Sequence, residues 1–258
     1  MKKHHYLGVL GLALGLPAAM AGDMIPAEGG SIELTPIRHA HVQIEFAGKV
    51  IHIDPWAGTA TFAAGLPAGA KPADIVLITD SHEDHHHPPS IERLKKATTV
   101  FVAPAAVATT WGRANTTVMA NGETKTVAGV LIQAVAAYNI VNKSPRTGEH
   151  YHTKGRANAY LLTLGGKRIL FTGDTECVPE IKALSNIDVA FVATNLPFTM
   201  SPSEAADCVK AFKPKIVYPY HYQQPGLDPA NKNQLDFVLA MKGAEGIDVR
   251  TVNFYPQP

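Results

Sequence analysis

The alternation of hydrophobic and polar residues predicts a β-rich first half of the chain. Residues 31 to 54 alternate along two strands joined by a turn at Ala47-Gly48-Lys49, which indicates an antiparallel hairpin with one buried face. Residues 74 to 79 and 98 to 103 read as buried strands. Ser90 is a suitable N-cap for a helix between them, extending to residue 96. Residues 116 to 137 then predict a strand-rich meander. Long loops are expected at residues 57 to 73 and 139 to 157.

The second half alternates strands and helices more regularly. A hairpin over residues 159 to 172 turns at Gly165-Gly166. Helices are predicted at residues 179–184, 202–212 and 234–242, and strands at 188–193, 216–220 and 249–254. Hairpins combined with strand–helix units indicate a mixed sheet covered by helices, an α/β fold. No linker or low-complexity segment divides the chain, so residues 22 to 258 are expected to form a single domain.

The first 21 residues have the composition of a secretory signal peptide. Two lysines precede an apolar stretch, and the segment ends in Ala18-Ala19-Met20-Ala21, a small-x-small pattern that predicts cleavage after Ala21. The alternative is a retained anchor, but no basic stop-transfer flank follows. We therefore expect a periplasmic or secreted protein with no membrane span in its mature form.

Charge and cysteine content narrow the classes of partner. The formal net charge is +1 and no run of lysine and arginine tracks along the chain, which argues against nucleic acid as a partner. A small-molecule substrate is expected instead, and a homo-oligomer remains open. Cys177 and Cys208 are the only cysteines. An exported protein can join them, but two distant cysteines are also found as separate buried thiols, and the sequence does not decide.

The chemistry concentrates in residues 79 to 87, directly after a predicted buried strand. Four histidines and three carboxylates occupy these nine positions, in a chain that is only 17% charged. Imidazole and carboxylate together suit zinc, iron or manganese, and zinc is the usual hydrolytic ion. The spacing Asp-x-His-x-Asp-His suits two neighbouring metal positions, one taking Asp80 and His82, the other Asp84 and His85. The alternative is a solvated histidine-rich loop that binds metal nonspecifically.

Two later strands also end in residues of the metal-ligand type. Phe171-Thr172-Gly173-Asp174-Thr175 places a carboxylate on a glycine turn, and Tyr218-Pro219-Tyr220-His221-Tyr222 places an imidazole at a strand end. Ligands of open α/β sheets gather outside the carboxyl ends of the strands. Three strands ending in such residues therefore predict one shared metal centre.

With these motifs, the chain resembles the metallo-β-lactamase superfamily, and within it the lactonase-like branch. The likeness to the branch rests on Ile53-Asp54-Pro55, Gly173-Asp174-Thr175, Asn195-Leu196-Pro197-Phe198-Thr199-Met200 and Pro219-Tyr220-His221-Tyr222. It covers roughly residues 32 to 254. The resemblance implies a four-layer αββα sandwich of two mixed sheets. It also implies a metal-dependent hydrolase, with two Zn²⁺ ions expected and Mn²⁺ or Fe possible.

Carried over residue by residue, the resemblance implies that His82, Asp84, His85, Asp174 and His221 are metal ligands, and it makes Asp174 a candidate bridge between two ions. The chain departs twice from the ligand pattern of the superfamily. Asp80 stands where most relatives have the first histidine, and Asn139 falls where many present a distant one. Asp80 can still ligate, and His152 or His150 can replace the missing imidazole, with His152 favoured. On this alignment, Asn139→His is expected to strengthen the first position.

Further residues are candidates for supporting roles around the metals. Asp84 is the predicted catalytic residue, because a ligating carboxylate can take up or relay a proton. Asp54 is a candidate acceptor for the second nitrogen of a ligating histidine. His39 and His41 flank Ala40 on the first strand and are expected on one side of it, with His39 a candidate for the pocket. Asn195 is a candidate for the pocket wall. His86 and His87 are expected to be supporting or exposed residues.

The sequence thus predicts an exported hydrolase in which a metal-activated hydroxide attacks an ester, lactone, amide or phosphodiester bond. The alternatives are a phosphodiesterase or phospholipase-D-like enzyme, which a basic pocket lip beyond Lys154 and Arg156 would favour, and a non-catalytic metal-binding protein. A β-lactamase is disfavoured by the branch resemblance. An iron oxygen-reducing enzyme would need an electron-carrier domain that this short chain lacks.

Overall fold

The computed structural model describes residues 22–58, 65–67, 69–222 and 232–255. The predicted signal peptide, residues 1 to 21, lies outside the described residues, as does much of the predicted loop at residues 57 to 73. No helix in the described ranges has the length and hydrophobicity to span a bilayer.

The first sheet contains seven strands that follow one another in chain order across the sheet. Neighbouring strands are antiparallel from β1 to β4 and parallel from β4 to β7. Two short helices, α1 and α2, connect the parallel strands. The elements are β1 (Asp23–Ala27), β2 (Gly30–Arg38), β3 (His41–Phe46), β4 (Lys49–Ile53), β5 (Ala73–Leu77), α1 (Pro88–Leu94), β6 (Lys95–Ala103), α2 (Ala105–Trp111) and β7 (Thr116–Val118).

The second sheet repeats this plan. Its seven strands also follow chain order, antiparallel from β8 to β11 and parallel from β11 to β14. The elements are β8 (Thr124–Val127), β9 (Val130–Ala137), β10 (Ala157–Leu164), β11 (Lys167–Phe171), α3 (Pro179–Lys182), β12 (Val189–Ala193), α4 (Pro202–Phe212), β13 (Ile216–Tyr220), α5 (Lys232–Ala240) and β14 (Asp248–Val249).

Three apolar clusters arrange these elements as four layers. The largest lies between the sheets, where residues such as Ile44 and Ile51 of the first sheet and Phe171 of the second are fully buried. A second cluster packs α3, α4 and α5 onto the second sheet, and a third packs α1 and α2 onto the first. Each fully buried aliphatic or aromatic side chain contributes about 1.5–3 kcal/mol to this packing. The αββα sandwich expected from the resemblance is confirmed.

Most predicted elements are present, and the best match is α4. It begins at Pro202, and the side chains and backbones of Ser201 and Glu204 form a reciprocal capping box. The helix predicted to begin after Ser90 instead begins at Pro88, and the Ser90 hydroxyl bonds His87 Nδ1 at 2.7 Å. Neither β1 nor α2 is predicted by the sequence pattern. Both are short and depend on distant partners. β1 pairs with the longer strand β2, and α2 packs on the first sheet.

Two expectations near the chain's ends are wrong. The last strand stops at Val249, two residues long, and the segment after it to residue 255 has no regular structure. His39 and His41 do not share a strand face, because His39 and Ala40 form the tight turn between β2 and β3. The question left open by the cysteines is answered by a Cys177–Cys208 disulfide, which joins the segment after Asp174 to α4.

Candidate metal centre

The ligand-type residues lie where strands of both sheets end. β5 leads into the loop that carries Asp80 to His85, β11 leads to Asp174, and β13 leads to His221. The loop after β9 adds His152. Because the parallel strands of each sheet point to the same edge, their carboxyl ends bring these side chains together between the sheets. The described residues form three groups of possible ligands, and because the groups His39–Asp84–His221 and His85–Asp174–His221 share His221, we describe two adjoining clusters.

Asp84, His85, Asp174 and His221 form the cluster that we call the second, because it contains the later part of the tract after β5. The Nε2 atom of His85 lies 3.3 Å from Asp174 Oδ1 and 3.8 Å from Asp84 Oδ2. The Nε2 atom of His221 lies 3.3 Å from Asp84 Oδ2 and 3.5 Å from Asp174 Oδ1. Two imidazoles and two carboxylates therefore surround one point.

The first cluster is formed by Asp80, His82 and His152. His82 Nδ1 lies 2.7 Å from Asp80 Oδ2 and 3.3 Å from His152 Nε2. Asp174 stands between the two clusters, because its other oxygen, Oδ2, lies 3.4 Å from His152 Nε2. The structure thus brings together all seven residues that the sequence proposed as ligands, and it places His152 in the position left open between His150 and His152. His150 instead bonds the Asn142 carbonyl.

These donors fit divalent cations. Within the described residues, His85 Nε2, Asp174 Oδ1 and His221 Nε2 are buried and make no hydrogen bond, although Asp174 Oδ1 lies 3.3 and 3.5 Å from the two nitrogens. Leaving three converging polar atoms buried without a hydrogen bond is costly unless they serve a ligand. Imidazole nitrogen and carboxylate oxygen are the donors that zinc, iron and manganese take. The two clusters therefore have the composition of a binuclear metal centre.

The charges in the second cluster support one another. Burial by itself raises the pKa of Asp84, but His85, His221 and His39 outweigh it and hold that pKa well below its usual range. Burial opposes the charged form of His85 too, yet Asp174, Asp84 and Asp54 raise its pKa well above the ordinary value. Burial by itself raises the pKa of Asp174 as well, but the neighbouring histidines outweigh it and lower that pKa. The two carboxylates are therefore ionised at neutral pH, as metal ligands must be.

Both histidines of the second cluster are held from behind. His85 Nδ1 donates to Asp54 Oδ2 at 2.8 Å, and Thr79 donates to the same carboxylate through its backbone N–H and its hydroxyl. The amide nitrogen Nδ2 of Asn195 lies 3.0 Å from His221 Nδ1, and Asn195 Oδ1 is buried without a hydrogen-bond partner. Exchanging the oxygen and the nitrogen of this amide would let Oδ1 accept a hydrogen bond from Nδ1–H. Each ring then presents Nε2 to the cluster.

The His152 imidazole of the first cluster is held by Asn139. Asn139 Oδ1 accepts from the backbone N–H of His152 at 2.7 Å and from His152 Nδ1 at 2.8 Å. The Asn139 amide nitrogen donates to Glu176 and to the Phe198 carbonyl. Glu176 also accepts three successive backbone N–H bonds, those of residues 140 to 142. Asn139 therefore lies behind His152, where it fixes the ring, and does not take the place of a ligand.

His39 contacts the centre through Asp84. Its Nε2 lies 3.0 Å from Asp84 Oδ2, and its Nδ1 lies 2.6 Å from the Tyr255 hydroxyl. Its ring packs on Trp56, with the ring centroids 4.9 Å apart. Burial lowers the pKa of His39 to about 4, so the ring is neutral at neutral pH. A Tyr255 hydroxyl that donates to Nδ1 leaves the Nε2–H to donate to Asp84. His41 faces away and bonds His52.

Backbone geometry explains two of the motifs. Gly173 has φ +58°, and a Cβ there would lie 2.9 Å from the Thr79 side chain, so only glycine allows Asp174 to turn into the centre. His39, Asp54 and His221 also have positive φ, a conformation that costs energy in residues with a side chain. Strained backbone at three residues around one centre is typical of a functional site.

Sequence reasoning missed several residues around the centre. Arg156, Glu176, Thr79 and Tyr255 contact residues of the clusters or those behind them, yet none forms a motif with its partners. Of these four residues, only Glu176 could be suspected from the sequence, because it lies two residues after Asp174. His86 packs on Trp111, and His87 bonds Ser90.

Comparison with known proteins agrees with this geometry. Residues 33–221 match the family model of the β-lactamase superfamily domain. A UPF0173 metal-dependent hydrolase of Geobacillus sp. (strain WCH70) is 30% identical over 82% of this chain and 97% of its own length. A Parabacteroides distasonis structure, assigned as a metal-dependent hydrolase, is 34% identical with a TM-score of 0.77, covering 90% of this chain and 98% of that one.

A more distant structure shares the fold alone. The diiron β-hydroxylase CmlA of Streptomyces venezuelae is 16% identical, with a TM-score of 0.64 over 89% of this chain and 54% of its own. Together, fold, centre and relatives define a metal-dependent hydrolase. The chain belongs to the metallo-β-lactamase superfamily.

Proposed function

We propose that the protein is an exported hydrolase that cleaves an uncharged carbonyl substrate, an ester, lactone or amide, at a binuclear centre. The observation that carries the proposal is the convergence of His85, Asp174 and His221 beside Asp84, through buried nitrogen and oxygen atoms that make no hydrogen bond in the described residues. Zn²⁺ is the first choice of ion, with Mn²⁺ and Fe as alternatives, because imidazole and carboxylate donors suit all three.

A divalent cation bound by these residues would lower the pKa of a water molecule toward neutrality and polarise the carbonyl under attack. The protein's own part is to orient and to move a proton. Asp84 is ionised and its side chain is 35% exposed, so it faces the opening of the centre. It is therefore the group placed to accept the proton of the attacking water. His39, held by Tyr255, fixes the orientation of Asp84.

The surroundings of the centre favour an apolar substrate. Ile140 follows Asn139, and Leu196 follows Asn195; both are exposed. The Tyr151 ring, next to His152, packs on Phe198 with the ring centroids 4.8 Å apart. Chain neighbours of three site residues thus present apolar surface. Apolar surface that adjoins these residues along the chain supports a substrate with an acyl or alkyl group.

The nearby cations argue against a phosphodiester. Lys154 is bonded to Glu180 at 2.6 Å, and Arg156 is paired with Asp80 at 3.2 Å. A phosphate group is normally recognised by cations that are available to it. A basic pocket lip beyond Lys154 and Arg156 would favour a phosphodiesterase. Because these two cations are themselves neutralised, that alternative has less support than a carbonyl substrate.

The location we propose is the periplasm or the exterior of the cell. The composition of residues 1 to 21 supports export, as argued above. The Cys177–Cys208 disulfide also supports it, because such bonds persist in oxidising compartments.

The test is to express the full chain, sequence the N-terminus of the exported product and measure bound metals by elemental analysis. Turnover is then compared across acyl esters and lactones of increasing chain length, amides, β-lactams and a phosphodiester. We expect ester or lactone turnover that rises with apolar chain length, stops with a chelator and returns with metal. Turnover of the phosphodiester alone would overturn the carbonyl proposal. Tight metal binding with no turnover would favour the non-catalytic alternative.

A further inference from the structure

Arg156 joins the parts of the chain that build the first cluster. It directly precedes β10, and its Nε lies 3.2 Å from Asp80 Oδ1. Its Nη2 lies 3.4 Å from Asp80 Oδ2 and donates to Ser81 Oγ at 3.1 Å. Its Nη1 lies 3.4 Å from the Tyr151 carbonyl. One guanidinium therefore contacts Asp80 and the chain neighbours of His82 and His152.

This contact changes the charge of the first cluster. Apart from the shared Asp174, Asp80 is the only carboxylate of this cluster, and its side chain is fully buried. The charge of Asp80 is offset by Arg156, whose Nε and Nη2 contact its two oxygens. In the second cluster, Asp84 and Asp174 have only histidines as ion-pair partners within the described residues. Within the described residues, Asp80 of the first cluster thus has a guanidinium beside it, whereas Asp84 and the shared Asp174 have none.

We infer that Arg156 is a positioning residue that weakens the affinity of the first cluster for a divalent cation, so that the two clusters load unequally and the second loads first. A dication is attracted by negative charge, and a fixed guanidinium beside the same carboxylate opposes it. Arg156 also contacts both oxygens of Asp80 and thereby limits how that carboxylate can bind an ion. The inference rests on the metal binding of the proposed function but not on its substrate.

The experiment is a titration of Zn²⁺ into the chelator-treated protein, followed by isothermal calorimetry and checked by elemental analysis. We expect two dissociation constants in the unaltered protein. In Arg156→Gln, the weaker one should fall by about tenfold or more, since a nearby positive charge is removed, while the tighter one stays unchanged. Lys154→Gln is the matched control, because it removes a charge two residues away that bonds Glu180 and not Asp80. It should change neither constant.

A second pair of variants separates charge from shape. Arg156→Lys keeps the charge and should retain the weaker affinity of the unaltered protein. In an Asp80→Asn background, Arg156→Gln should have no further effect, because the carboxylate that the guanidinium offsets is gone. If the unaltered protein retains one ion, Arg156→Gln should retain two.

The inference would be overturned by two equal constants in the unaltered protein, or by a weaker constant that is unchanged or larger in Arg156→Gln. The latter result would mean that Arg156 only orders Asp80. Because every readout is metal binding, a protein that loads unequally yet cleaves no carbonyl substrate would reject the proposed function and leave this inference standing. Carbonyl turnover by a protein with two equal constants would support the proposed function and reject this inference.

Discussion

The two clusters of the metal centre use the same residue types in different settings. In the second, His85, Asp174 and His221 are almost fully buried, and Asp54 and Asn195 hold the two rings from behind. In the first, the His82 side chain is 43% exposed and the Asp80 carboxylate is paired with Arg156. Ligand type is therefore not what separates the clusters. Burial does not separate them either, because each cluster has one partly exposed member and the Asp84 side chain of the second is 35% exposed. The clusters differ in the charged neighbours of their carboxylates and in the residues behind the ligands, and these set how strongly each can hold an ion.

Asp174 belongs to both clusters, so its loss should have the largest effect. Asp174→Ala removes Oδ1 from His85 and His221 and Oδ2 from His152. We expect both ions to be lost and turnover to fall on the order of a thousandfold or more, since the activated water depends on them. Asp207→Ala, on the exposed face of α4, is the control and should retain metal and turnover. Two retained ions in Asp174→Ala would show that the clusters do not share this residue.

Removal of one ligand from each cluster should tell them apart. His82→Ala should lose the ion of the first cluster and keep that of the second, whereas Asp84→Ala should lose or weaken the second. Turnover should fall in both, about a hundredfold or more. The measurement is the metal content after gel filtration, together with turnover. Loss of both ions in His82→Ala would mean that the clusters bind cooperatively and not as two sites.

The residues behind the ligands should give smaller, cluster-specific effects. Asp54→Asn should weaken the ion of the second cluster and Asn139→Ala that of the first, each by about 10–100-fold. Asn139→His, expected from the sequence to strengthen the first position, should weaken it too, because the Oδ1 that accepts both His152 bonds is lost. Calorimetric titration checks all three. Equal weakening of both ions by either single change would contradict the separate support of the clusters.

A buried histidine pair away from both clusters provides a metal-independent contrast. His52 bonds His41 and the Lys71 carbonyl, and burial lowers its pKa to about 4. Since the unfolded residue titrates near 6.5, the unfolded state binds more protons between these values. The stability conferred by a neutral His52 is thus complete above pH 6.5 and declines as the pH falls toward 4.

The free energy of unfolding should therefore fall between pH 8 and pH 5, with about 2 kcal/mol of the fall due to His52. In His52→Gln that part should disappear, while metal affinity at pH 8 stays unchanged. Urea unfolding in the presence of a chelator measures it. An identical loss in both proteins would mean that His52 does not titrate in this range.

Much of the fold could be predicted because the signals are local. The capping box at Ser201 and the glycine turns of the hairpins depend on neighbouring residues, so α4 and the hairpins are where the sequence places them. β1 and the end of β14 depend instead on distant partners. β1 is a strand because β2 lies beside it, and the segment after Val249 leaves the sheet and carries Tyr255 toward His39. No local sequence pattern therefore predicts the strand β1 or the early end of β14.

The residues that could bind metal are evident from the sequence, because the tract after β5 and the motifs around Asp174 and His221 stand at the carboxyl ends of predicted strands. Only the tertiary structure decided between His150 and His152, paired Asp80 with Arg156, and set Asn139 and Glu176 behind the first cluster. The physical reason is distance along the chain. A strand end fixes the direction of its own residues, whereas pairs such as Asn139–Glu176 and Asp80–Arg156 are fixed by the packing of segments 37 and 76 residues apart.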